Sequence, residues 1–150
     1  MPPDAVSELT PPTTTHRIVV GVDGSPESER ALDWAITQAQ EKGAILEIVT
    51  AWIYPMVVGY AFTTTVREVH QAAQDVVDRA ITRVSETAPD VVVRGKTTEQ
   101  PPAPSLVAES EGADLLVVGF RGLGGFAELL LGSVSQYCAR HASCSVVVVR

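Results

Sequence analysis

The sequence predicts a single α/β domain in which helices cover both faces of a parallel β-sheet. Short β-branched runs alternate with amphipathic helical segments, which is the pattern of consecutive βαβ units. Hydrophobic residues make up 45 % of the 150 residues and aromatic residues only 5 %. Val, Ile, Leu and Ala therefore carry the apolar content, as in strands buried on both faces. Right-handed crossovers between such strands make the sheet parallel and doubly wound.

The first predicted strand spans residues 17–22 (RIVVGV), a β-branched run long enough for a buried strand. After a short turn, Ser25 is a favourable N-cap and Pro26 fits the first helical position, so a helix is predicted to begin there. Gly43 is the expected C-terminal stop of this helix. Its buried face is predicted from apolar residues at helical spacing, namely Ala31, Leu32, Ala35, Ile36 and Ala39.

Two more strands and a long helix are predicted in the middle of the chain. Residues 44–52 (AILEIVTAW) form the second strand, and residues 54–63 are interpreted as a loop. Apolar residues at helical spacing over 66–84 predict a long amphipathic helix, which Pro89 ends. Residues 90–94 (DVVVR) are predicted to be the third strand, because the run is short and β-branched.

The C-terminal part continues the alternation. A loop is predicted over 95–104 and a short helix over 105–111. The fourth strand is predicted over 113–119 (ADLLVVG), the most hydrophobic run up to that point. A last helix over 133–141 and a fifth strand over 145–150 (SVVVVR) complete the pattern.

Composition and termini narrow the function classes. Residues 1–15 are Pro- and Thr-rich and are predicted to be a flexible extension, which leaves a domain of residues 16–150. The extension lacks a basic start and an apolar stretch, so a secretory signal is not indicated and a cytoplasmic location is expected. No apolar run approaches the roughly 18 residues needed to span a bilayer. A formal net charge of −7 disfavours nucleic acid as a partner, because such binding rests on Lys and Arg neutralising phosphates.

Two cysteines, Cys138 and Cys144, flank His141 in the last predicted helix and the residues after it. A metal site would need a fourth ligand and usually a closer cysteine pair. We therefore expect two reduced, partly buried thiols and no metal.

The stretch from Gly119 to Ser135 carries the chemistry. It leaves the C-terminal end of the predicted fourth strand, where ligands of open α/β sheets bind. Its glycines let a ligand approach the backbone, and Gly132-Ser133 begins a helix whose free N–H groups and dipole favour a phosphate. The serine hydroxyls add donors. The alternative is a connector whose serine caps the helix, and a solvated Arg121 is the simpler interpretation of that residue.

Three familiar motifs do not fit. A Walker A loop needs Lys before Ser or Thr, whereas Gly132 precedes Ser133. The Rossmann G-x-G-x-x-G is absent after the first strand, whose turn reads GVDG. A phospho-acceptor receiver domain would need paired acidic residues at that point, and Asp23 stands alone.

Three segments in the right order resemble the universal stress proteins of the ATP-binding type. Residues 19–28 (VVGVDGSPES) are similar to the first strand and turn of that family, and residues 143–150 (SCSVVVVR) to its last strand. The loop pattern of the family is G-x2-G-x9-G-S/T, which is met here with both spacings by Gly119, Gly122, Gly132 and Ser133.

The resemblance implies a single-domain, five-stranded sheet in the order 3-2-1-4-5, an adenine nucleotide α-hydrolase-like fold that binds ATP with Mg²⁺. It implies that Asp23 faces the glycine loop near the ribose and that Ala51 offers backbone hydrogen bonds to adenine. From the residues alone, Asp23 could instead form an Asx-turn or a cap. The implied nucleotide-contacting set is Gly21, Val22, Asp23, Ala51, Gly119, Gly122, Gly132, Ser133, Val134 and Ser135.

The resemblance also implies a homodimer formed by antiparallel pairing of the fifth strand. The residues agree with this, because a monomer would expose an apolar strand edge, which is a recognised liability. That edge would consist of Val146, Val147, Val148 and Val149.

The expected function is that of a nucleotide-dependent regulatory protein of the stress response. No catalytic constellation is evident, since His70 falls in the middle of a long helix, His16 borders the extension and His141 lies at a helix end. The alternatives are a slow ATPase, in which Glu128 could activate water, and a cyclic AMP-binding protein of the same fold. A partner-binding module that has lost nucleotide affinity is a third possibility.

Overall fold

A computed structural model describes residues 15–54, 64–122 and 131–150. These residues form one five-stranded sheet in the order β3-β2-β1-β4-β5, in which every neighbouring pair is parallel. The predicted fold class and strand order are thereby confirmed. In chain order the elements are β1 Arg17–Gly21, α1 Pro26–Lys42, β2 Ile45–Trp52, α2 Val66–Thr87, β3 Val93–Glu99, α3 Pro102–Glu109, β4 Leu115–Gly119, α4 Ser133–His141 and β5 Ser145–Val149.

Helix α1 begins and ends as its sequence predicts. Ser25 is the N-cap in an extended conformation, and its hydroxyl accepts a hydrogen bond from the Ser28 N–H at 3.2 Å. Pro26 occupies the first turn, where a missing N–H costs nothing. Gly43 ends the helix with φ = +60°, a left-handed conformation that glycine adopts without a steric cost.

The sheet is covered on both faces because successive residues of a strand point to opposite sides. In β1, Ile18 and Val20 pack in a cluster with residues of α1 and α2. Val19, between them, packs on the other face with Leu106 of α3 and Cys138 of α4. All three β1 residues are buried, which explains why this short strand reads as a continuous apolar run. No helix among the described residues is long and apolar enough to cross a bilayer.

The third strand and the helix after it differ from the prediction. The strand is Val93–Glu99, not 90–94, and residues 95–99 belong to it and not to a loop. It lies at an edge of the sheet and carries polar residues, so the search for a continuous apolar run missed its second half. Gly95 pairs with Ile48 of β2, and the absence of a side chain there leaves room for Val77 and Ile81 of α2. The prediction at 90–92 was wrong, because these residues form the turn that leads into the strand.

Helix α3 spans Pro102–Glu109, whereas residues 105–111 were predicted. The prediction treated the prolines as loop residues. Proline is compatible with the first helical turn, however, since the N–H it lacks would have no helical partner there. Pro101 is the N-cap residue and Pro102 the first helical residue. The earlier start matters for the site, because it places Pro102 beside the carboxyl ends of the strands.

A network of ion pairs ties the amino-terminal part of the sheet to α3. The Nε of Arg17 donates to Glu47 Oε2 at 2.9 Å, and its terminal nitrogens donate to the carbonyls of Glu109 and Glu111, both at 3.1 Å. Lys96 Nζ lies 3.0 Å from Glu47 Oε1. Burial would raise the pKa of Glu47, but the hydrogen bonds from Arg17 and Lys96 outweigh it and hold the pKa below its ordinary value. Glu47 is therefore ionised and matched although it is buried.

Candidate functional site

A cleft of about 430 Å³ lies at the carboxyl ends of the central strands. This is the edge of an open α/β sheet at which ligands bind, next to the point where the strand order reverses between β1 and β4. All ten residues that the family resemblance implied for a nucleotide site line this one cleft. They are Gly21, Val22, Asp23, Ala51, Gly119, Gly122, Gly132, Ser133, Val134 and Ser135.

One side of the cleft is apolar. Val49 and Ala51 of β2 line it together with Pro102 and Leu106 of α3. Gly21 at the end of β1 completes this wall. A Cβ added at Gly21 would lie 2.7 Å from Leu106 Cδ1, so the absence of a side chain there lets α3 approach the sheet. This wall can contact a flat apolar group and offers backbone polar atoms at the strand ends.

The start of α4 also lines the cleft. Gly132 is the N-cap residue in an extended conformation, and as a glycine it has no side chain that could cap the helix start. Its own N–H donates to the Phe120 carbonyl at 2.9 Å, which ties the helix start to the residue after β4. The first N–H groups of a helix have no partner within the helix. Here Ser133 and Val134 present that positive end directly to the cleft.

Close packing fixes the helix start against the segment after β4. A Cβ at Gly132 would lie 3.0 Å from the Phe120 carbonyl oxygen and 3.2 Å from Arg121 Cα. The buried Ser135 hydroxyl donates to the same Phe120 carbonyl at 3.1 Å and to the Gly132 carbonyl at 3.0 Å. The Ser135 hydroxyl proton is therefore used in hydrogen bonds within the protein. The exposed Ser133 hydroxyl makes no such bond in the described structure.

Asp23 forms the Asx-turn that the sequence left open, and it also lines the cleft. Its Oδ1 accepts a hydrogen bond from the Ser25 N–H at 2.9 Å, which is the Asx-turn geometry. Its carboxylate also lines the cleft, and Oδ2 lies 2.7 Å from the position of a Cβ on Gly122. The turn therefore aims one carboxylate oxygen across the crevice toward the glycine loop.

Gly119 lines the cleft, and the packing of α1 against β4 also requires a glycine there. A Cβ at Gly119 would lie 2.9 Å from the carbonyl carbon of Glu27 and 3.0 Å from its oxygen. Both atoms are backbone atoms of the first turn of α1, which cannot rotate away. The glycine thus allows α1 to begin close against the end of β4.

Arg121 was interpreted from the sequence as a solvated loop residue, and the structure corrects this. Arg121 lines the cleft, and its Nε is buried without a hydrogen-bond partner among residues 15–54, 64–122 and 131–150. The guanidinium lies 5.3 Å from the centroid of the Phe120 ring, whose flat face supports it. The sequence signal was its position between Gly119 and Gly122, which places it at the end of β4.

The remaining chemistry-bearing residues lie outside the cleft. His70 stacks on Trp52, with ring centroids 5.0 Å apart, and its Nε2 lies 3.2 Å from Thr97 Oγ1. Cys138 and Cys144 are free thiols, and burial raises the pKa of Cys138 to about 11. Among residues 15–54, 64–122 and 131–150, no group of three or more His, Cys, Asp or Glu could hold a metal ion. Glu128 and most of the predicted loop over 54–63 lie outside the described residues.

Comparison with known proteins identifies relatives over nearly the whole chain. A sequence model of the universal stress protein family matches residues 14–150. Universal stress protein YxiE of Bacillus subtilis is 30% identical over 146 residues, which cover 90% of this chain and 99% of that protein. Universal stress protein Rv2005c of Mycobacterium tuberculosis is 38% identical over 136 residues. That match covers 89% of this chain and 45% of the relative, so the chain spans about half the length of this mycobacterial protein.

Solved structures share the fold. The universal stress protein UspA from Lactobacillus plantarum superposes with a TM-score of 0.70 at 21% identity, covering 90% of this chain and 97% of that one. A universal stress protein in complex with cAMP superposes with a TM-score of 0.66 at 34% identity, with the same coverage of 90% and 97%. A universal stress protein family protein from Arabidopsis thaliana with AMP bound gives a TM-score of 0.59 at 20% identity, over 89% of this chain and 90% of that one.

Proposed function

The chain belongs to the universal stress protein family, and from that premise we propose that it is a regulatory stress-response protein whose cleft binds an adenine nucleotide, ATP above all. In this proposal residues 16–150 form the binding domain, residues 1–15 are an extension outside it, and the protein acts in the cytoplasm. Nucleotide occupancy sets the shape or the partner choice of the protein.

One observation carries the proposal: the helix start of α4, without a side-chain cap, and an apolar wall line the same cleft. A nucleotide has the matching polarity, with a flat base at one end and an anionic phosphate at the other. The base would lie against Val49, Ala51 and Leu106, and the Ala51 backbone would bond adenine. The phosphates would lie at the N–H groups of Ser133 and Val134, where the helix dipole favours an anion.

The residues between the two ends would contact the sugar and the first phosphate. Asp23 would lie near the ribose, with Gly21 and Val22 beside it. Gly119 and Gly122 would lie against the ribose and the phosphates, where a side chain would obstruct them. Ser135 would hold the loop through its two carbonyl contacts, and Gly132 would set the direction of the helix.

Magnesium fits this site only as a partner of the phosphates. Mg²⁺ is usually held by one or two carboxylates together with phosphate oxygens, and it keeps several waters. Asp23 is the carboxylate among the described residues that line the cleft. It would hold the ion directly or through water, and the ion would neutralise part of the triphosphate charge.

Cyclic AMP is the second candidate ligand. A 34% identical universal stress protein was solved in complex with cAMP, and the adenine and ribose contacts would be shared. We favour ATP because the helix start and Arg121 together provide for more negative charge than a cyclic diester carries. The two ligands give different functions, since cAMP would make the protein a sensor or a buffer of a second messenger.

A slow ATPase is the enzymatic alternative. Asp23, the described carboxylate at the cleft, is held by an Asx-turn and is assigned to the ribose and the metal. A turnover number much above about one per second would contradict the regulatory role.

Calorimetric titration of nucleotide-stripped protein with ATP and Mg²⁺, then with AMP and cyclic AMP, tests the proposal. Micromolar binding of ATP that weakens for AMP is expected, and tighter binding of cyclic AMP would move the function to second-messenger sensing. Gly122→Val should abolish binding, because its β-branched side chain would displace Asp23 Oδ2. The absence of heat with every nucleotide would contradict the proposal and leave a partner-binding module.

We also propose a homodimer through β5. This strand lies at one edge of the sheet, and Val146, Val147, Val148 and Val149 are only partly buried there. The opposite edge strand, β3, carries charged and polar side chains, which discourage pairing. Sedimentation of the wild type should give a dimer, and Val148→Pro, which removes an edge N–H, should give a monomer that still folds.

A further inference from the structure

Arg121 occupies an unusual position for an arginine. The residue is partly buried, its Nε is shielded from solvent, and that nitrogen has no hydrogen-bond partner in the described part of the chain. A guanidinium is always charged and carries five N–H donors in a rigid fork. A buried donor without a partner costs about 1–3 kcal/mol, and more when it belongs to a charged group. The Nε of Arg121 is therefore a donor of a charged group that finds no acceptor among the described residues.

The surroundings hold the guanidinium at the phosphate end of the cleft. Its plane is supported by the Phe120 ring, whose centroid lies 5.3 Å from Cζ. The Arg121 backbone packs against the helix start, since a Cβ at Gly132 would lie 3.2 Å from Arg121 Cα. Arg121 and the first turn of α4 line the same cleft. The charge of the guanidinium and the positive end of the helix dipole therefore both favour an anion in that cleft. An anion with several oxygens would satisfy both groups at once.

We propose that Arg121 is a phosphate ligand of the cleft and makes the affinity for an adenine nucleotide rise with the charge on its phosphate. This inference rests on the proposed nucleotide function and assigns a specificity-determining residue to it. A phosphate monoester carries about −1.5 to −2 charges near pH 7, and a triphosphate carries more. A cyclic diester carries a single charge, and adenosine carries none. Arg121 therefore favours ATP and AMP over cyclic AMP.

The chain provides a matched control for this arginine. Arg150 lies over the same Phe120 ring, with Cζ 4.8 Å from the centroid, but it does not line the cleft. Arg150→Met removes the same charge and the same kind of ring contact as Arg121→Met. Arg121→Lys is the second comparison, because lysine keeps the charge but lacks Nε and the planar fork.

The experiment measures dissociation constants of wild type, Arg121→Met, Arg121→Lys and Arg150→Met for ATP, AMP, cyclic AMP and adenosine. Thermal unfolding of each variant checks the fold. Arg121→Met should weaken ATP and AMP binding about 10- to 100-fold, the loss of a hydrogen bond to a charged group. Cyclic AMP should weaken by about fivefold or less, and adenosine should stay within about twofold. Arg121→Lys should fall between wild type and Arg121→Met, and Arg150→Met should match wild type.

The outcomes separate this inference from the proposed function. Wild-type binding of ATP with unchanged binding in Arg121→Met would overturn the inference alone. An equal loss for adenosine would mean that Arg121 shapes the cleft instead of contacting phosphate, which also overturns it. An equal loss of affinity in Arg150→Met would also overturn the inference, because the effect of Arg121 would then be one of general positive charge. A wild type that binds none of the four compounds would remove the proposed function, and this inference with it.

Discussion

Replacing Ser133 by proline tests whether the backbone at the start of α4 binds the phosphate. Proline at the first helical position removes one N–H without breaking a helical hydrogen bond. The preceding residue must be extended, and Gly132 already is, with φ = −66° and ψ = 156°. The chain itself uses this arrangement in α1, where Ser25, with φ = −73° and ψ = 154°, precedes Pro26. Ser133→Pro should therefore fold normally.

The size of the effect follows from what the substitution removes. Ser133→Ala removes only the hydroxyl and should weaken ATP binding by about 1 kcal/mol, close to fivefold. Ser133→Pro removes the hydroxyl and the N–H, which would donate to a charged phosphate. That second bond adds about 1.5–3 kcal/mol, a further loss of roughly 10- to 150-fold relative to Ser133→Ala. The free energy of unfolding should stay unchanged or rise by up to about 1 kcal/mol, because proline restricts the unfolded chain.

The assay is calorimetric titration of both variants with ATP and Mg²⁺, together with urea denaturation in the absence of nucleotide. Equal ATP affinity of Ser133→Pro and Ser133→Ala would refute the reasoning, since the N–H would then not contact the ligand. A lower free energy of unfolding for Ser133→Pro would show that the ring does not fit at this position. In that case the geometric comparison with Ser25-Pro26 would be wrong.

Three further predictions concern the fold. Gly119→Ala should lower the free energy of unfolding by about 1–3 kcal/mol in urea, because its Cβ would meet the Glu27 backbone at 2.9 Å, and an unchanged midpoint would contradict this. The lowered pKa of Glu47 stabilises the fold above about pH 4.5, and that stability is lost as the pH falls through the lowered value. Glu47→Gln should therefore be less stable at pH 7 and show a shallower acid slope, and an identical slope would argue against a role for the Arg17 pair. Cys138, with a pKa raised to about 11 by burial, should resist iodoacetamide at pH 8 until urea unfolds the protein, and rapid native labelling would refute its burial.

The sequence predicted the elements whose local signals agree with their packing. The bounds of α4, Ser133–His141, were predicted to the residue, and Gly132 was correctly placed at the helix start. The start of α1 was equally clear from Ser25 and Pro26. At the start of α1, capping chemistry and the apolar pattern point to the same boundary, so no tertiary contact was needed to find it.

The sequence failed where tertiary contacts decide. Lys96 and Thr97 are polar, and only the pairing of β3 with β2 shows that they belong to a strand. Arg121 could not be assigned, because the burial of its Nε depends on Phe120 and on the helix start, which lie together only in the fold. The second role of Gly119, against the backbone of Glu27, likewise needs the approach of α1 to β4.

The two ends of β1 contribute to different properties of this protein, stability at one end and the cleft at the other. Arg17 anchors the ion-pair network at one end and Gly21 lines the cleft at the other. At about 3.3 Å per residue these positions lie about 13 Å apart, far enough for the effects of substitutions to add independently. Substitutions in the cleft can therefore change the ligand during evolution without weakening the ion pairs around Arg17. An engineer can use the same separation, offsetting a destabilising change in the cleft by strengthening the contacts around Arg17.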